Sequence, residues 1–163
     1  LGRRTKLAGS IRMKKSSVLA GVAVLATIAV GATGVSVVAQ DTIAQRKALM
    51  KAVGGASKTG SQMAKGEVPF DAAKASEAMG TIATSWAAFA KLFPKGSETG
   101  GETTASPKIW ESFKDFEDKG AKLASDATAA QKAAANGADT FKAAFGDVTK
   151  NCGGCHKPYR IQK

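Results

Sequence analysis

Three stretches of this chain space their apolar residues by alternating steps of four and three. Ala75, Met79, Ile82, Trp86, Phe89 and Phe93 form the first. Ile109, Phe113, Phe116, Gly120, Leu123 and Ala127 form the second, and Phe141, Phe145, Val148, Cys152, Cys155 and Tyr159 the third. A seven-residue apolar repeat makes one stripe along an α-helix and makes none along a strand. Segments of about 20 residues give helices roughly 30 Å long. Each helix must then bury its stripe against others.

A fourth helical segment precedes these three. DTIAQRKALMKAVGGASKTGSQ, residues 41–62, puts Ile43, Met50 and Val53 on one face, with Arg46 and Leu49 beside them and Asp41 as an N-cap. Between the segments lie stop and start signals: Pro94, then the glycine-rich PKGSETGGETTAS, then Ser106-Pro107 at a helix start, and Asn136-Gly137 at a helix end. No stretch alternates with period two. The expected fold is all-α, an antiparallel up-and-down four-helix bundle.

The first 39 residues read differently. From Met13, two lysines are followed by a long small-residue apolar run ending in Val37-Val38-Ala39, the three-part pattern of a cleaved secretory signal. A membrane anchor is the competing reading of such a run; the cleavage-like end and the acidic helical start after it favour removal. Arg3-Arg4 sit in a poor context for twin-arginine export. The domain expectation is an upstream extension plus signal over 1–39 and one helical domain over 40–163. Six of the 24 cationic residues and none of the 13 acidic ones lie in 1–39, so the net charge of +11 falls to +5 on cleavage. That balance lacks the basic stripe nucleic-acid binding requires. It suits an acidic protein partner. Export implies the periplasm, with no membrane association after cleavage.

Both cysteines and the only histidine fall within CGGCH, residues 152–156. A disulfide across this spacing closes a tiny loop, constrains little of the unfolded chain and leaves His156 without a role. A redox dithiol wants a helix N-terminus to favour thiolate, whereas this pair ends a helix. A structural zinc needs four ligands, and the chain offers three such residues on one turn. Covalent haem c uses all of them: Cys-x-x-Cys-His is its attachment motif. Two thiols three residues apart meet one porphyrin edge, and the next residue aims an imidazole at the iron. No carboxylate pair or nucleophile–base set stands out, so an enzyme is not expected.

RKALMK, AKLFPKGS, ASPKIWESFKDFE and CGGCHKPYR together resemble the class II c-type cytochromes, the cytochrome c′ superfamily, across residues 40–163. The resemblance implies thioethers at Cys152 and Cys155, His156 as the proximal iron ligand, Arg160 near the proximal side and Arg46 near the haem propionates. Haem would hang on the last helix of the bundle, and pairing through the first two helices leaves a homodimer open. Met50, four residues after Arg46, stands where the low-spin branch of that family places its second ligand. This leads to the expectation of a His156/Met50-ligated one-electron carrier serving a redox partner protein, with a five-coordinate protein binding NO or CO on the distal haem face as the alternative. Met63 and Met79 are weaker ligand candidates. Lys150, Lys157 and Lys163 form a candidate docking patch, and Trp86 and Trp110 are expected to pack around a flat cofactor.

Overall fold

The computed structural model describes residues 33–162 in backbone, and side chains from residue 39. The signal-peptide expectation falls on residues 1–39 and lies almost wholly outside that range. Four long helices make the bundle: α1 (Thr33–Ala64), α2 (Ala72–Phe89), α4 (Phe113–Ala133) and α5 (Ala138–Tyr159), with a single-turn helix α3 (Lys108–Glu111) leading into α4. α1 packs on α2, α2 on α4, α4 on α5, and α5 closes the ring against α1. Sequence neighbours are thus spatial neighbours, which is up-and-down order. Among the described residues no helix is long and apolar enough to cross a membrane.

Two helices differ from their expected outlines. α1 is already helical at Thr33, ahead of Asp41, so Asp41 is mid-helix and caps nothing. The third expected helix is broken at Ser112, which leaves helical geometry at φ −130°, ψ 48°. The break frees Trp110 to reach back, where its indole N–H donates to the Phe93 carbonyl at 3.1 Å. The other terminators act as read. The Asp71 carboxylate accepts the Lys74 N–H at 3.0 Å at the start of α2, the Ser106 hydroxyl accepts from Lys108 N–H at 3.3 Å, and Gly137 takes φ +99° where α5 begins, a backbone state that favours glycine.

The core divides in two. At one end Val53, Met63, Met79, Ile82, Phe141, Phe145 and Val148 pack with a floor of alanines. At the other, Phe93, Ile109, Phe116 and Tyr159 gather Trp86, Phe89, Trp110 and Phe113 around them. Phe116 is the hub there, with ring centroids 4.9 Å from Phe93, 5.3 Å from Trp86 and 5.4 Å from Tyr159. Each such ring contributes about 1.5–3 kcal/mol by leaving water. Gly120 is part of this packing: a Cβ there would sit 2.2 Å from the Trp86 ring, so only glycine lets the indole lie on α4.

Candidate haem site

Between the two core clusters runs a cavity of about 630 Å³, walled by α1, α2, α4 and α5. The heptad stripe of α5 brings Cys152 and Cys155 to its wall in line with Val148 and Tyr159, and His156 follows on the same side. Both thiols are half-buried, and burial is the main cause that pushes their pKa values up. They are neutral thiols at neutral pH, unlike the thiolates of a redox pair. His156 is shifted the other way: burial, then the charge of Arg160, lowers its pKa and favours the neutral imidazole that a metal needs.

α1 supplies the facing wall through Ile43, Arg46, Met50, Val53 and Gly54. Arg46 is 4 % exposed. One guanidinium nitrogen, Nη2, donates to the Ser97 carbonyl at 2.7 Å, and the group lies 4.7 Å above the Phe93 ring. Desolvation lowers its pKa, opposed by the charge of Glu98. Its other terminal nitrogen, Nη1, is buried with no protein partner. An unpartnered buried guanidinium N–H costs free energy unless an anion meets it. Gly54 leaves the wall open, with no atom within 4 Å of where a Cβ would stand. A large planar group with carboxylates fits this lining: thiols and an imidazole on one wall, an orphaned cation on the other, aromatic rings between.

The remaining expected residues are placed as follows. Arg160 lines the cavity mouth, exposed, directly after α5. Met50 lines the wall, half-buried, and packs against the Val53–Phe145 cluster. Met63 and Met79 are core residues away from the cavity. Trp86 faces the cavity, whereas Trp110 packs behind it on Phe93. Of the expected docking lysines, Lys150 is held by Asp147 at 2.9 Å, Lys157 is exposed, and Lys163 lies outside the described residues. Sequence reading missed Ser97, 1 % exposed in a loop of polar residues, and the Thr103–Ala105 segment on the cavity rim. It also missed Lys119, which reaches the cavity wall from α4. No local pattern marks them; loop closure across the bundle brings in Ser97 and the rim segment, and Lys119 comes in beside Phe116 and Gly120 on α4.

Comparison with known proteins decides the family. The family described as Cytochrome C′ matches residues 41–160. The chain belongs to the cytochrome c′ family. Cytochrome c′ of Rhodopseudomonas palustris is 43% identical over 87% of this chain and 97% of its own length; its solved structure aligns with a TM-score of 0.69 at 44% identity, covering 76% of this chain and 98% of that one. Cytochrome c-556 of Agrobacterium fabrum is 40% identical over 78% of this chain and 86% of its own. A nitric oxide complex of a mutant cytochrome c prime from Alcaligenes xylosoxidans aligns with a TM-score of 0.69 at 27% identity, covering 77% of this chain and 97% of that one. Like the family, the chain carries covalently attached haem c with its iron.

The match corrects the first functional expectation. A His156/Met50-ligated electron carrier of the low-spin branch is overturned by full-length kinship to a cytochrome c′ and by the cytochrome c′ structures that share its fold. The physical reason lies in residue type. A methionine beside a core is a soft apolar filler, and Met50 packs in that way against the cluster containing Val53. Its presence on the wall needs no bond to a metal.

Proposed function

We propose that this protein binds NO or CO at the distal face of its haem. The observation that carries this reading is the α1 wall facing His156 across the cavity, where Ile43, Met50 and Val53 present an apolar surface and Gly54 leaves room beside it. The nitric oxide complex solved for a relative of the same fold supports it. In this reading Cys152 and Cys155 hold the porphyrin through thioethers and His156 ligates the iron from the proximal side. When bound, the haem supplies an open coordination position for a diatomic ligand. Met50, packed on the cluster containing Val53, would keep water and bulkier groups off that side of the cavity without ligating. Arg46, held by the Ser97 carbonyl, would offer its unpartnered Nη1–H to a haem carboxylate. Arg160 sets positive charge next to His156, which adds to burial in lowering the imidazole pKa.

The signal-like run over residues 13–39 supports a periplasmic site of action. Lys47 and Lys51, exposed on the cavity rim and without ion pairs among the described residues, support electrostatic steering of an acidic partner protein. The test is the visible spectrum of the mature protein, reduced with dithionite and then exposed to CO. The reading expects broad high-spin bands that move on adding CO. Sharp reduced bands indifferent to CO would refute it.

A further inference from the structure

The turn that carries His156 is the weakest helical stretch in the bundle by composition. CGGCHKPY places two glycines, Gly153 and Gly154, inside α5, and glycine is a poor helix former. Pro158 follows within the same helix. It has no N–H to give the Gly154 carbonyl, and its ring crowds that carbonyl. Nor does the imidazole of His156 find a hydrogen-bond partner among the described residues. Metal-bound histidines usually owe their orientation to such a partner. Beyond the thioethers at Cys152 and Cys155, the orientation has to come from the backbone turn, and a turn of this composition is held by contacts to its neighbours.

The holding contacts converge on Tyr159, three residues after His156. Its ring is 6 % exposed and stands edge-on to Phe116. Its hydroxyl donates to Asp115 Oδ2 on α4 at 2.5 Å. The other oxygen of Asp115 accepts from Lys119 Nζ at 2.9 Å, so the carboxylate is engaged on both sides. Asp115 lies in the first turn of α4, where the helix dipole favours a negative charge. The main chain adds a second hold. The Tyr159 carbonyl accepts the Ser106 N–H at 3.0 Å and Ile161 N–H donates to the Thr104 carbonyl at 2.8 Å, while within α5 Arg160 N–H closes the turn on the His156 carbonyl at 3.1 Å.

We infer that Tyr159 is a positioning residue for the proximal histidine: its hydroxyl, bound to Asp115, clamps the last turn of α5 to α4 and so sets where the His156 imidazole stands. The inference rests on His156 being the iron ligand. A tyrosine that merely filled the aromatic cluster would act through its ring alone, and phenylalanine would replace it without consequence at the iron. The contact between two helices that the hydroxyl makes is what separates the two roles.

The experiment compares Tyr159→Phe and Asp115→Asn with the parent, all as haem-loaded proteins. Tyr159→Phe keeps the ring and its packing, so the fold is retained. Resonance Raman of the ferrous state reads the iron–histidine stretch, and hydrogen exchange reads the amides of Arg160 and Ile161. The expected result is a shifted and broadened stretch in both variants, with faster exchange at those two amides and unchanged protection over residues 141–148. A stretch identical to the parent in Tyr159→Phe, whatever its melting temperature, would overturn the inference and leave the haem assignment standing. A parent protein with no iron–histidine stretch at all, or one that survives His156→Ala, would overturn the assignment itself and the inference with it.

Discussion

Replacing Gly120 with alanine is the sharpest probe of how α4 and the cavity are built. The new Cβ would lie 2.2 Å from Cη2, Cζ2 and Cζ3 of Trp86. Non-bonded carbons prefer about 3.5–4.0 Å, so the indole must retreat by more than about 1 Å. Phe116 at 5.3 Å and Phe89 at 6.1 Å bracket it, which leaves the cavity as the direction of escape. Overpacking of this kind costs roughly 1–3 kcal/mol, and a contact this short belongs at the upper end. Alanine returns about 1 kcal/mol of helix propensity. The net expectation is a loss of roughly 2 kcal/mol, or about 6–10 °C in melting temperature for a domain of this size. Because Trp86 moves toward the haem, the visible spectrum should change as well. Gly55→Ala is the matched control: it is exposed, nothing lies within 4 Å of its Cβ position, and it should gain about 0.4–1 kcal/mol. Thermal and guanidinium unfolding of the haem-loaded proteins, followed by far-ultraviolet circular dichroism, measures both. Gly120→Ala at or above parent stability, or the two variants moving together, would refute the packing argument.

Arg46→Lys keeps the charge but loses the guanidinium fork held by Ser97, and should cost the haem-loaded protein roughly 2 kcal/mol in guanidinium unfolding; no change would mean the Ser97 contact contributes nothing. Tyr159 is the only tyrosine in the chain, and burial, with help from Asp115, pushes its pKa from 10 up to about 12. A folded pKa raised in this way stabilises fully below pH 10 and the contribution is lost as pH rises through about 12; carbon-13 NMR of labelled tyrosine should show one late titration, and a midpoint near 10 would contradict it. Asp115 goes the other way: the Tyr159 hydroxyl first, then Lys119, hold its pKa below the usual carboxylate value. Its contribution is present above the ordinary carboxylate range and disappears as pH falls through the lowered value, so Asp115→Asn should flatten the acid limb of melting temperature against pH. Met50→Ala should speed CO association, seen by stopped flow, with no change of spin state; a switch from low to high spin would mean Met50 had been a ligand.

The bundle was legible because burial alone writes a four–three stripe into each helix, and the stripes of α2, α4 and α5 hold their residues inside as read. The cysteines and His156 were legible because attachment chemistry demands fixed spacing. Other features depend on contacts between distant segments. Ser97 lies 51 residues from the Arg46 it serves, and its loop looks like any polar connection. The break at Ser112 goes with the Trp110 bond back to Phe93, a contact across 17 residues that no helix propensity records. Met50 shows a different limit. It lines the cavity wall with Ile43 and Val53, yet one residue type serves both as ligand and as packing, so the expectation of a Met50 ligand could be drawn from the same side chain that packs as filler.

The cavity that divides the core has a consequence for how this protein is made. If haem is withheld, the chain must fold around about 630 Å³ that no side chain fills. That space opens to solvent along one side, so the cost of leaving it empty is the apolar lining of Phe89, Phe93 and Phe116 left against water. Collapse of the walls or entry of water recovers part of this by giving up the arrangement of α1 against α5. Attachment is then expected to tighten the fold: the cofactor is the missing middle of the core, and the haem-free chain should melt at a lower temperature than the haem-loaded one.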